Sequence, residues 1–149
     1  MSNNRPSKEN YYLSIAEAVL ARSTCLRRKY GAVIVKDDEI ISTGYNGSPR
    51  GAKNCCDIGY CYREYRKIPH GERYEDCRAV HAEANAIISA SRQEMTGSTL
   101  YLAGQDADGS PIAGIKPCLF CYRLIMSAGI ITIVTREADG IISRKEVIA

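Results

Sequence analysis

Residues 98–135 read STLYLAGQDADGSPIAGIKPCLFCYRLIMSAGIITIVT, and this one stretch sets the fold class. Ser98 to Leu102 is a short run of strand formers after the breaker Gly97, and Ile130 to Thr135 is β-branched throughout. Between them Pro117 opens a helix, since a first-turn N–H would have no partner anyway, and Gly129 stops it. Strand, helix and strand in that order imply parallel pairing with a right-handed crossover, hence an α/β sheet with helices on its faces. Gly104 to Lys116, rich in Gly, Asp and Pro, is a long loop inside the crossover.

Upstream, His81 to Arg92 carries Ala86, Ile87 and Ala90 available to pack and reads as a helix, its connection closed by Gly97. Gly31 to Lys36 and Glu39 to Thr43 flank Asp37-Asp38, which suits a tight turn, so they form an antiparallel hairpin. The string Gly44-Tyr45-Asn46-Gly47-Ser48-Pro49 ends it. From Ser7 to Arg22, Tyr12, Ile15, Ala16, Val19 and Leu20 recur at helical spacing and predict an amphipathic opening helix. Residues 50–78 have no sustained period and hold many cysteines, tyrosines and charges. An irregular insertion of that length needs a function or a staple.

A chain of 149 residues, 45% hydrophobic and 25% charged, matches one soluble globular domain over 1–149. Its net charge of +3 falls short of the basic excess of a dedicated nucleic-acid binder. Tyr62, Arg63, Tyr65, Arg66 and Lys67 resemble an aromatic-basic patch for single strands, yet Arg50 to Arg78 sets seven basic residues against five acidic ones. That balance predicts a solvated surface and argues against nucleic acid as a partner. Neither a signal peptide nor the ~20 apolar residues of a membrane span is visible, so a cytoplasmic protein is expected. Thiols stay reduced there, and seven cysteines then point to metal ligation rather than disulfides.

Two fragments carry chemistry. His81-Ala82-Glu83 stands at one helix start and Pro117-Cys118-Leu119-Phe120-Cys121 at another. Cysteines three apart in a first turn present both sulfurs on one face, and the positive helix end favours thiolates. Helices that start at the carboxyl ends of neighbouring strands bring His81 to Cys118 and Cys121 despite the sequence gap. Three protein ligands leave a zinc ion one open position, as in catalytic sites. Glu83, about 200° around a helix axis from His81, is poorly placed as a ligand and suits a proton shuttle. It is also the residue that separates an enzyme from a non-enzymatic zinc module.

With these residues the chain resembles the cytidine deaminase superfamily, whose signature is His-x-Glu followed by Pro-Cys-x-x-Cys. Gly31 to Lys36, Ser42 to Pro49 and His81 to Ile87 are similar to its deoxycytidylate deaminase branch, over most of the chain from Cys25 to Ile133. The resemblance implies a three-layer α/β/α fold with a mixed central sheet of about five strands. It implies zinc-dependent hydrolysis of deoxycytidine monophosphate (dCMP) to dUMP and ammonia, supplying thymidylate synthesis. Activated water adds to C4 of the cytosine, and Glu83 moves the proton. A deaminase of another nucleotide or of nucleic acid is the rival within the same chemistry.

By the same resemblance His81, Cys118 and Cys121 hold the catalytic zinc. The Gly-Tyr-Asn-Gly turn walls the nucleotide pocket with Asn46 on sugar or base, and Ala82, Tyr122 and Arg123 lie near the substrate. The 5′-phosphate needs cationic donors; Arg27 and Lys29 are favoured and Arg28 stays open. A second zinc tying the insertion to the body takes Cys25, Cys55, Cys61 and Cys77, with Cys56 or His70 able to replace one, and offsets the entropy of ordering that loop. Gly44, Tyr45, Gly47, Arg50 and Lys53 form the expected effector site, where dCTP activates and dTTP inhibits, with Mg2+. A homohexamer is the expected assembly. The loop 104–116 departs from the short connection usual in the family, at the mouth of the pocket.

Overall fold

Asp37 and Asp38 sit at φ 51° and 61°, the left-handed pair that a two-residue hairpin turn needs to match the twist of its strands. They join β1 (Lys29–Lys36) to β2 (Glu39–Tyr45). The computed structural model describes residues 3–148; Met1, Ser2 and Ala149, which the single-domain expectation included, lie outside the described residues. The other elements are α1 (Lys8–Leu20), α2 (Cys55–Ile58), α3 (Tyr62–Tyr65), one 3₁₀ turn (Tyr74–Asp76), α4 (Ala82–Ile88), α5 (Arg92–Met95), β3 (Thr99–Gln105), α6 (Leu119–Ala128), β4 (Thr132–Arg136) and β5 (Ile142–Glu146).

The five strands lie in the order β2-β1-β3-β4-β5. β3 and β4 pair in parallel around α6, as strand, helix and strand require. The other three pairs are antiparallel, so the sheet is mixed. One expectation needs correction. The helices that carry the site do not follow neighbouring strands: β1 lies between β2 and β3 and runs against both. β2 and β3 therefore point the same way, and their carboxyl ends share one edge of the sheet.

Alternation of side chains along each strand then divides the core. Ala32, Ile34, Leu100, Leu102 and Ile133 face Ala82, Ala86, Met95, Ile125 and Ala128 from α4, α5 and α6. Val33, Val35, Tyr101, Ala103 and Val134 face Tyr12, Leu13, Ala16 and Leu20 of α1. These are the three layers expected. The helix expected from His81 to Arg92 is two helices, because Ser91 caps α5 and Glu94 returns the bond to the Ser91 N–H at 3.0 Å. β5, with Arg144, Lys145 and Glu146 exposed, lacks the apolar alternation that marks a half-buried strand.

The insertion is not solvated throughout. Arg63 is only 5% exposed, and its guanidinium donates to the carbonyls of Glu72 and Arg73 at 2.6 Å and of Pro69 at 3.1 Å, over the Tyr74 ring. Carbonyl oxygens and an aromatic face satisfy the buried cation. Tyr65, Arg66 and Lys67 stay exposed as expected. Among the described residues no helix is long and apolar enough to cross a membrane.

Close packing of α4 on the sheet depends on Gly44. A Cβ there would lie 2.4 Å from the Ala82 carbonyl oxygen and 2.4 Å from the Ala86 nitrogen, both backbone atoms that cannot swing away. Gly44→Ala should therefore cost at least the ~1–3 kcal/mol of an overpacked core, read as a lower urea midpoint; an unchanged midpoint would show that α4 shifts freely.

Candidate active site

His81 is the N-cap of α4 and Cys118 the N-cap of α6, so two helix starts meet at the shared edge of β2 and β3. His81 Nδ1 stands 3.6 Å from Cys118 Sγ and 3.4 Å from Cys121 Sγ. All three atoms lie within 4.8 Å of one another. Nitrogen and sulfur ligands at about 2.0–2.3 Å from one tetrahedral ion stand about 3.5 Å apart, so the set fits zinc. The Cys121 N–H donates to Cys118 Sγ at 3.4 Å, which orients the Cys118 side chain at the helix start. Among the described residues no other group of three or more His, Cys, Asp or Glu ligands meets this spacing.

Glu83 lies outside that ligand set but beside it. It is only 5% exposed. Burial pushes its carboxyl above the usual carboxylate range, although its own N–H, His81 and Cys121 pull the other way. Burial also pushes the Cys121 thiol up, and the neighbouring Glu83 and Cys118 add to the effect. Without a cation Cys121 therefore favours its protonated form, and a divalent ion must displace that proton to bind it as thiolate. His81 and Cys118 are exposed while Cys121 is buried, so the centre opens outward from a closed floor.

The remaining residues singled out from the sequence divide into those that frame the site and those directed elsewhere. Asn46 is buried, and its amide is engaged: Oδ1 accepts from Tyr30 N–H at 2.9 Å and Ser23 Oγ at 2.6 Å, while Nδ2 donates to Arg28 O at 2.9 Å. Next to it, Gly47 and Val80 exchange both backbone bonds, at 3.1 and 2.7 Å. Asn85 reaches from α4 to Tyr45 O at 2.8 Å. The cationic step before β1, the turn and the His81 start are thereby stitched together. Ser23 and Asn85 were not identified from the sequence, since a polar residue that buckles loops leaves no periodic signal.

The expected anion cradle at this turn differs from the structure. The amides of Asn46, Gly47 and Ser48 already donate to Tyr30 O, Val80 O and Thr24 Oγ1, and Gly44 and Tyr45 belong to β2. Arg50 and Lys53 are exposed beside it. Ala82 is fully buried. Tyr122 turns its hydroxyl to the backbone of Ile148, at 3.2 and 2.9 Å, and Arg123 is exposed. Arg27 pairs with Glu64 at 2.9 Å and Arg28 with Asp106 at 3.8 Å. Lys29 begins β1.

All seven cysteines are free thiols. Burial pushes Cys55 up, and the thiols that add to this through space are those of Cys25, Cys77 and Cys61. Cys56 is exposed, and its N–H donates to Thr24 O. His70 packs edge-on against Tyr74. No three of the sulfurs of Cys25, Cys55, Cys61 and Cys77 come within 4.8 Å of one another.

The family model described as the cytidine and deoxycytidylate deaminase zinc-binding region matches residues 6–137. A deoxycytidylate deaminase of Mycobacterium phage D29 is 39% identical over an alignment of 132 positions that covers 85% of this chain and 92% of that one. The deoxycytidylate deaminase of Schizosaccharomyces pombe is 34% identical over 85% of this chain, which spans 36% of that longer protein. Among solved structures, the dCMP deaminase of cyanophage S-TIM5 in complex with dCMP and dUMP matches with a TM-score of 0.61 at 26% identity, over 91% of this chain and 85% of that one.

Burial of Glu83 has a pH signature in chelated, metal-free protein. The folded carboxyl titrates above the unfolded one, so the folded state holds a proton that the unfolded chain releases as the pH rises. Wild-type stability is then full in acid and falls as the pH climbs above the ordinary carboxylate range. Glu83→Gln escapes this loss: its melting-temperature advantage should be small near about pH 4 and grow toward about pH 8. A pH-independent difference in thermal unfolding would contradict it.

Proposed function

The chain belongs to the family of cytidine and deoxycytidylate deaminases and is a hydrolytic deaminase; from that premise we propose that it converts dCMP and water to dUMP and ammonia. The observation that carries this reading is the convergence of His81 Nδ1 and two cysteine sulfurs beside a buried Glu83. His81, Cys118 and Cys121 are the residues that would hold zinc. Bound there, zinc supplies the Lewis acidity that lets water act as a nucleophile near neutral pH. Glu83 takes a proton from the water that adds to C4. An acid whose pKa is raised toward the working pH both accepts and releases protons readily. One proton ends on ring N3, the other on the amino nitrogen, and the C4–N bond breaks to release ammonia.

Preference for the 2′-deoxynucleotide rests on the relatives named above, and the dUMP formed suits thymidylate synthesis. Arg27 and Lys29, with Arg28 open, are the phosphate ligands in this reading, and Arg123 is the cation on the α6 side. Asn46 acts as the buckle of the pocket wall rather than by a free amide. Control by dCTP and dTTP, with Mg2+, falls to Arg50 and Lys53, since the turn's own amides are engaged. Leu119 and Phe120 are 76% and 68% exposed next to Cys118, apolar surface that supports self-association across the mouth and the homohexamer. Seven unpaired thiols suit a reducing compartment such as the cytoplasm. One catalytic domain carries the whole reading.

An absorbance assay tests it. Wild type should prefer dCMP over deoxycytidine and dCTP, Glu83→Gln should lower turnover at least 10²-fold while keeping the catalytic zinc, and either triphosphate should shift the rate curve. Preference for the free nucleoside would remove the phosphate assignment.

We also infer a second zinc among Cys25, Cys55, Cys61 and Cys77. The action of the Cys25, Cys77 and Cys61 thiols on Cys55 through space supports it, as does the Arg27 N–H donating to Cys25 Sγ at 3.4 Å. Native mass spectrometry should find two zinc ions per chain in a hexamer, one after Cys55→Ser, and activity retained in part. A single ion in wild type would refute the second site.

A further inference from the structure

Both long loops reach back to the same cationic step at the start of β1. Glu64 of α3, in the insertion, places Oε1 2.9 Å from Arg27 Nε, and Asp106, just past β3, lies 3.8 Å from Arg28 Nε. Lys29 forms no ion pair among the described residues. The Glu64 contact joins segments far apart in sequence, so helix spacing does not create it. The step belongs to the frame of the active site. Arg28 O receives the Asn46 amide at 2.9 Å, and the Gly47–Val80 pair carries that connection to His81.

We propose that Glu64 is a specificity-determining residue: its carboxylate competes with the 5′-phosphate for Arg27, so a nucleotide binds by exchange instead of filling an empty cationic seat. The proposal rests on Arg27 as a phosphate ligand. A phosphate entering beside Arg27 meets a like charge already there, and apparent affinity falls by the fraction of Arg27 that is free. The side chains of Arg27 and Glu64 are 49% and 60% exposed, so water screens the pair and it opens readily. Such a pair tempers binding without blocking it. A neutral nucleoside has nothing to exchange, and Glu64 leaves its binding alone. Glu64 thereby lowers the margin by which a phosphorylated substrate is preferred.

The test is KM for dCMP and for deoxycytidine, as substrate or as competitive inhibitor, with zinc-loaded full chain carrying Glu64→Gln, Arg27→Gln or both. Glu64→Gln should lower the dCMP KM about two- to fivefold, the range for an exposed ion pair, and leave the deoxycytidine constant unchanged. Arg27→Gln should raise the dCMP KM, and adding Glu64→Gln to it should do nothing further. If Arg27→Gln raises that KM but Glu64→Gln leaves it unchanged, or moves both substrates alike as a loosened insertion would, the exchange is overturned and the phosphate assignment stands. If Arg27→Gln leaves the dCMP KM at its wild-type value, the phosphate assignment itself falls and the exchange with it.

Discussion

The common direction of β2 and β3 on either side of an opposed β1 is the constraint on which the rest depends. It brings the starts of α4 and α6 to one edge, and with them an imidazole and two sulfurs from distant parts of the chain. No propensity of the ligands themselves would do this. Glycine at 31 and 44 lets helices approach the sheet from both faces, since a Cβ at Gly31 would stand 2.1 Å from the Ala16 carbonyl oxygen. Sheet order sets the geometry of the centre, and the absence of two side chains lets it close.

Regular periods made most of the fold legible. The hairpin, the α1 stripe and the β3, α6 and β4 series each repeat with the spacing of their own secondary structure. β5 was not legible because an exposed edge strand has no apolar alternation to display. The break between α4 and α5 was legible in principle: Ser91 and Glu94 spell a capping box, but Ala86, Ile87 and Ala90 keep helical spacing right up to it. At the centre, His81, Cys118 and Cys121 were readable because metal ligation restricts residue type and spacing together. Their route to one another was misread, since neighbouring and next-but-one strands look alike in sequence.

The loops were harder for a related reason. Polar side chains that buckle loops, such as Asn46 and Ser23, act through single bonds to backbone and leave no repeat. A glycine-rich turn suggested free amides, yet the same compactness lets neighbouring segments use them. Charge counting over residues 50–78 described the surface there and missed Arg63, because a buried cation satisfied by carbonyls leaves no acidic partner to be counted.

Arg63 gives the insertion a property that the centre lacks. Its guanidinium is a planar fork of donors, and it meets three backbone carbonyl oxygens rather than a carboxylate, so the clasp holds residues 69–73 against α3 without an acidic partner. At the centre, by contrast, burial raises both Glu83 and Cys121. The molecule thus sets a proton-handling heart beside a collar whose clasp closes on backbone, so that exchanging the side chain of Glu72 or Arg73 leaves the acceptors of Arg63 in place.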